Sequence, residues 1–191
     1  MILKDFYLDM PQASLRMDSD VKLDGDYPLT LNAILKVKET ELKGHKVTLD
    51  AEGSVVDLKA SVKLSGGLQA KIDAELKPLE STLPFNIQVS EGDVYWPLIG
   101  DKAITALVPN IRAKGDLNKY QFSGSLYIEG KEIPKTDIRL EGKGDTGSVN
   151  LYDLLIDPLG GQVSGNAEID WRSLLPWKGD IDLQNIQPGI Q

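Results

Sequence analysis

The chain has no cysteine and a single histidine among 191 residues, and only 6% of its residues are aromatic. The first absence excludes a disulfide framework, thiolate metal sites and a cysteine nucleophile. With His45 alone, no histidine-based metal site or serine–histidine–aspartate arrangement can be assembled. His45 sits in Lys43-Gly44-His45-Lys46, a turn sequence in which solvent exposure is expected. Positive charge is also scarce. Twenty-one Lys and Arg stand against 29 Asp and Glu, giving a net charge of -8. No basic patch is available to neutralise phosphates, so nucleic acid is a poor partner, and adsorption to an anionic membrane surface is disfavoured. No apolar run approaches the roughly 20 residues of a membrane-spanning helix. The start, MILKDFYLDMP, alternates like a strand and lacks the form of a signal peptide, so any targeting segment is expected outside this chain.

What the sequence does contain is alternation. Ala13, Leu15, Met17, Val21 and Leu23 are apolar, while Ser14, Arg16, Asp18, Asp20 and Lys22 between them are polar. The same spacing recurs in Val56 through Leu64 and in Leu68 through Leu76. Successive side chains of a strand point to opposite faces, so each segment makes one apolar and one solvated face. Further strands are expected around Ile2 to Met10, Leu29 to Val37, Val47 to Ala51, Leu83 to Val89, Tyr120 to Ile128, Ile138 to Gly142, Tyr152 to Ile156, Val163 to Trp171 and Trp177 to Leu183. Asp24-Gly25 is a hairpin signal, because glycine accepts positive φ without steric cost. Arg172 to Pro176 is expected to form a compact turn. A soft break is expected near residues 78–84, between Pro78 and Pro84, and residues 92–113 form an irregular stretch that favours strand over a short helical turn.

Strands of about 8 to 11 residues are long against a mean near 5 or 6, and joints of about 2 to 5 residues suit antiparallel neighbours. The expected fold is all-β: one long antiparallel meander over residues 1–191, which if left open makes a U-shaped trough with an apolar interior. Alternation alone also allows a closed barrel or an ordinary close-packed sandwich, since all three hide one face. Leu, Val, Ile and Ala dominate the inward positions, with small residues such as Ala60, Ala74, Gly124 and Gly165 interspersed. That composition suggests an under-filled surface able to take a guest.

Catalytic patterns are weak. Gly142, Gly144 and Gly147 match G-x-G-x-x-G, which has meaning only between a strand and a helix. Here Ser148 onward continues as a strand, and the glycines read as a hairpin. The pairs Asp180/Asp182 and Glu168/Asp170 occupy the polar side of strands at i and i+2, where solvated charges belong. No EF-hand spacing is present, because Lys22 stands where an oxygen ligand is required. No enzyme, metal or cofactor is expected.

Trp96-Pro97-Leu98, Gly115, Tyr120, Gly130 with Ile133-Pro134, Gly142, Leu159-Gly160-Gly161 with Gly165, Asp170-Trp171, Trp177 and Ile186-Gln187-Pro188-Gly189 stand in an order and spacing that resembles the TamB family. TamB is the inner-membrane-anchored subunit of the translocation and assembly module of Gram-negative bacteria. The resemblance is close from about Gly44 to Gln191, and the earlier strands fit it by pattern. It implies a periplasmic protein of the AsmA-like group, related to bridge-like lipid-transfer proteins, in which a long sheet forms a taco-like trough lined by aliphatic residues. It further implies phospholipid acyl chains as guests, and TamA, an outer-membrane barrel, as partner through parts of the protein outside this chain. Membrane anchoring would come from an N-terminal segment absent here. The rival implication is a chaperone-like scaffold that captures strands of outer-membrane proteins and autotransporters together with TamA. On alternation, the groove-lining residues are Leu49, Val56, Leu58, Val62, Leu64, Ile72, Leu76, Ile87, Phe122, Leu126, Ile128, Leu140, Ile169 and Ile181. Trp171 and Trp177 read as packing anchors.

Overall fold

The computed structural model describes residues 2–38, 44–158, 161–172 and 177–185. Thirteen strands follow one another: β1 (Ile2–Asp9), β2 (Ala13–Val21), β3 (Leu29–Val37), β4 (Lys46–Gly53), β5 (Leu58–Ser65), β6 (Gln69–Leu76), β7 (Phe85–Trp96), β8 (Ile104–Asp116), β9 (Lys119–Gly130), β10 (Thr136–Gly144), β11 (Ser148–Pro158), β12 (Gln162–Asp170) and β13 (Trp177–Gln184). They form a single sheet in chain order, every neighbour antiparallel. β1 does not pair with β13, so the sheet is open and trough-like, and no helix occurs among the described residues.

The sandwich alternative fails on burial. The thirteen strands form one sheet in chain order, with no second sheet among the described residues. No hydrophobic side chain is fully buried among the described residues, as the core of a two-layer sandwich would be. The accessible surface is 12837 Å², against about 9,000 Å² for a compact monomer of this mass. That excess is the cost of leaving a sheet face uncovered.

Strand lengths run from 8 to 13 residues. The stretch from residue 92 to 113 is strand on both sides of a joint, with β7 reaching Trp96 and β8 starting at Ile104. Its illegibility has a specific cause. Glu91 and Pro109 fall opposite each other between the Ser90–Asn110 and Gly92–Val108 pairs, and the alternation changes phase at both. Glu91 adopts φ 54°, and Pro109 has no N–H to give a ladder, so each fits a bulge. Relative to β6 and to β9 the register shifts at these same places. Asp5, with φ 51°, marks a similar shift in β1. A third irregularity corrects the sequence reading of β11. Tyr152 does not continue the face of Leu154 and Ile156; it lies in a register shift, and Leu151 takes the place opposite Gly142.

Two further expectations change. Val56 is not part of a strand: β5 begins at Leu58, and Val56 sits in the preceding turn, 38% exposed. The turn is held by Ser54, whose Oγ accepts from the Val56 and Asp57 backbone N–H groups, and Gly53, at φ 126°, brings its backbone against the Asp57 carbonyl. His45 is half-buried, with its ring beside Gly67 and the Tyr95 hydroxyl. The turn expected over Arg172 to Pro176 falls largely outside the described residues, as do Leu159-Gly160 and Ile186 to Gly189.

Candidate functional site

Register converts thirteen separate alternations into one surface. A single cross-strand row runs Phe6, Met17, Ala33, Leu49, Val62, Ile72, Val89, Ile111, Gly124, Leu140, Leu154, Gly165, Ile181, one residue from each strand. All are apolar or glycine. With neighbouring strands about 4.8 Å apart, this row extends about 58 Å along the sheet. The bulges keep it continuous, because each phase change in the sequence is cancelled by an unpaired residue and the apolar set stays on one face.

Two rows flank it on the side of the β2–β3 and β4–β5 turns. The nearer runs from Leu31, Ala51, Ala60, Ala74 and Ile87 through Ala113, Phe122 and Gly142 to Leu151, Ala167 and Gly179. The outer contains Leu29, Gly53, Leu58, Leu76, Phe85, Gly115, Tyr120, Gly144, Val149, Ile169 and Trp177. Leu64 pairs with Val47 and Ala70 on the opposite flank. Leu126 faces Ile138, and Ile128 lies between Ala106 and Thr136.

Thirteen of the fourteen sequence-predicted lining residues therefore lie in strands on this face. Leu49, Val62, Ile72, Leu140 and Ile181 share the central row; Ile87 and Phe122 share the nearer flank; Leu58, Leu76 and Ile169 share the outer one. Val56, in its turn, is the exception. Ile111 and Leu151 belong to the face but were hidden from alternation by the phase changes at Pro109 and Tyr152.

Polarity on this face is sparse. Thr136, 5% exposed, donates its hydroxyl to the Pro134 carbonyl at 2.8 Å. The three rows contain no charged residue. Charges occupy the opposite face, in pairs such as Arg139–Asp157 at 3.1 Å and Lys178–Glu168 at 2.9 Å. There, Lys71 and Ser61 hydrogen-bond Asp73 and hold its carboxyl below the usual carboxylate range. A hollow of about 450 Å³ on that face is lined by Asn32, Asp50, Ser61, Asp73 and Gln88. This hollow presents polar groups. Among the described residues no group of His, Cys, Asp and Glu is placed to hold a metal.

One end of the sheet is fastened at a turn. Asp145 accepts from the backbone N–H groups of Gly147 and Ser148, and Trp171 Nε1 donates to the Thr146 carbonyl at 2.8 Å. Gly147, Arg172 and Ser148 together hold the Asp145 carboxyl below its ordinary range. Arg172 reaches both Asp170 at 3.1 Å and Asp145 at 3.7 Å. Trp171 is thus tied to this turn by its indole N–H, while the residue stays 52% exposed.

The family described as TamB, N-terminal domain, matches residues 1–191. The chain belongs to the TamB N-terminal domain family. The match includes β1 to β3, which resembled it by pattern alone. TamB-family proteins belong to the bacterial envelope and function with TamA in the translocation and assembly module for outer-membrane assembly. No solved structure matches the chain.

Proposed function

We propose that this stretch of a TamB-family protein is a non-catalytic lipid conduit, sheltering phospholipid acyl chains along its apolar face between inner and outer membrane in the periplasm. The observation that carries the reading is the uncharged central row from Phe6 to Ile181, in which no side chain is fully buried. A soluble protein does not ordinarily leave so long an apolar surface bare, and such patches mark binding surfaces. Burying a methylene stabilises by about 0.8 kcal/mol, so a chain of around 16 carbons gains on the order of 10 kcal/mol against water. Because most positions of the row are aliphatic, successive positions hold an acyl chain by the same kind of contact and a guest can slide. Head groups remain in water at the trough lip.

The test is lipid extraction and mass spectrometry of the protein purified from cell envelopes without added detergent. Stoichiometric phospholipid, lost in a folded Ile72→Asp variant, supports the conduit. A folded, lipid-free protein contradicts it.

Strand capture is the second reading, and its own observation is β13. Among the described residues β13 pairs only with β12, and its Ile181 and Leu183 are 71% and 64% exposed. Such an edge offers unpaired backbone to an incoming strand. Cross-links from the β13 edge to outer-membrane protein strands, with none to lipid on the central row, favour this reading.

A further inference from the structure

The apolar face changes character along its length. From β4 to β6, residues of similar size stand opposite one another, as in Leu49/Val62, Val62/Ile72 and Leu58/Leu76. From β8 to β11 large residues face glycines instead: Ile111/Gly124, Phe122/Gly142, Tyr120/Gly144. The space above each glycine is already taken by its large neighbour. A Cβ on Gly142 would stand 2.7 and 2.8 Å from Phe122 Cε1 and Cε2. One on Gly144 would stand 2.5 and 2.6 Å from Tyr120 Oη and Cζ, and one on Gly124 2.7 Å from Ile111 Cγ1.

These distances fix how the rings lie. Neighbouring strands are about 4.8 Å apart, so a ring that reaches the next strand's Cβ position has folded down along the sheet instead of rising from it. With Phe85, Tyr120 and Phe122 form a band of aromatics, with centroids 6.1 and 6.4 Å apart. Phe122 has Ala113 on one side and Gly142 on the other. Only the glycine lacks a Cβ, so only that side offers a place to lie down. A recumbent ring adds its thickness to the floor of the face; an upright one adds its length.

We infer that Gly142 and Gly144 set the clearance of the apolar path, by giving Phe122 and Tyr120 a place to lie out of the way of a passing acyl chain. This rests on the conduit reading. It assigns to two glycines a positioning role that acts through the rings and involves no contact of their own with the guest. A methyl group at position 142 cannot coexist with the ring where it is, so Phe122 must leave its place over the glycine for another staggered rotamer.

The experiment uses the full-length protein in cells, with photo-reactive residues placed singly at Ile72, on β6 before the band, and at Leu154, on β11 beyond it. In the otherwise unaltered protein both probes capture phospholipid. In Gly142→Ala, one of the two keeps its lipid and the other loses it, because the path is interrupted between them. Adding Phe122→Ala to Gly142→Ala restores capture at both. If Gly142→Ala does not accumulate, Phe122→Trp enlarges the ring with the glycine intact and is expected to give the same one-sided loss. Equal capture at both probes in Gly142→Ala, or a parallel fall at both, overturns the clearance role while leaving the conduit standing. No lipid at either probe in the unaltered protein contradicts the conduit itself.

Discussion

Val62 and Ile72 face each other across β5 and β6 in the centre of the apolar row, while one residue away Ser61 Oγ donates to Asp73 at 2.9 Å on the opposite face. A one-residue step along β6 thus separates a bare hydrocarbon surface from a hydrogen-bonded carboxylate. Ile72→Asp brings the carboxylate to the wrong side. Its insertion among acyl chains costs about 2.5 to 3.5 kcal/mol, so lipid occupancy should fall sharply. Because Ile72 is not fully buried, the variant should still fold. Circular dichroism checks the fold, and complementation of outer-membrane integrity checks the function; full complementation by the folded variant counts against the conduit.

The carboxylates on the solvated face govern acid sensitivity. Asp73 is held below its ordinary range first by Lys71, then by Ser61, and Asp170 by Arg172. A depressed folded-state value means the stabilisation is fully present above the unfolded value, near 3.9, and is lost as pH falls through the folded value. Urea unfolding of Asp73→Asn between pH 7 and pH 2 should show a shallower loss below about pH 4 than the unaltered protein. Both side chains are partly exposed, 45% for Asp73 and 33% for Asp170, so solvent screening keeps the difference small.

Trp171 fastens the β10–β11 turn to the end of β12, through its indole N–H on Thr146 and its backbone N–H on the Gly147 carbonyl at 3.2 Å. Trp171→Phe keeps the ring and removes the indole donor, at a cost of about 0.5 to 1.5 kcal/mol. Hydrogen exchange should quicken around Gly147 and Trp171 and stay unchanged in β5 and β6. Uniform change throughout the sheet would show that the fastening is not local.

Without a buried core, stability depends on neighbour pairing and on whatever covers the face. Strands that touch only their neighbours unfold as a linear array, so the thermal transition should be broad. A guest that binds only the folded sheet adds about 2.7 kcal/mol at a hundred times its dissociation constant. Titration with a short-chain phospholipid below its micelle concentration should raise and sharpen the melt, and Ile72→Asp should blunt that rise. An unchanged melt contradicts an apolar binding face.

The alternation was legible because each strand is solvated on one side: Leu49, Val62 and Ile72 could be assigned to a common face from their neighbours Asp50, Lys63 and Asp73. Which residues line up across strands was not, since register depends on turn length and on bulges. Glu91 and Pro109 invert the phase within single strands, and Tyr152 stands where an apolar-face residue was expected. Val56 satisfied the alternation yet lies in a turn closed by Ser54, because a period of two cannot say where a strand starts. The aromatic–glycine pairs were invisible for a similar reason: Phe122 and Gly142 are ordinary in sequence and meaningful only when opposed.

The most direct measurement is a photo-cross-linking scan along β6 in living cells, with probes at Lys71, Ile72, Asp73 and Ala74 and the captured lipid identified by mass spectrometry. The account predicts phospholipid at Ile72 and Ala74 and none at Lys71 and Asp73. Equal capture on both faces, or capture on neither, would contradict it.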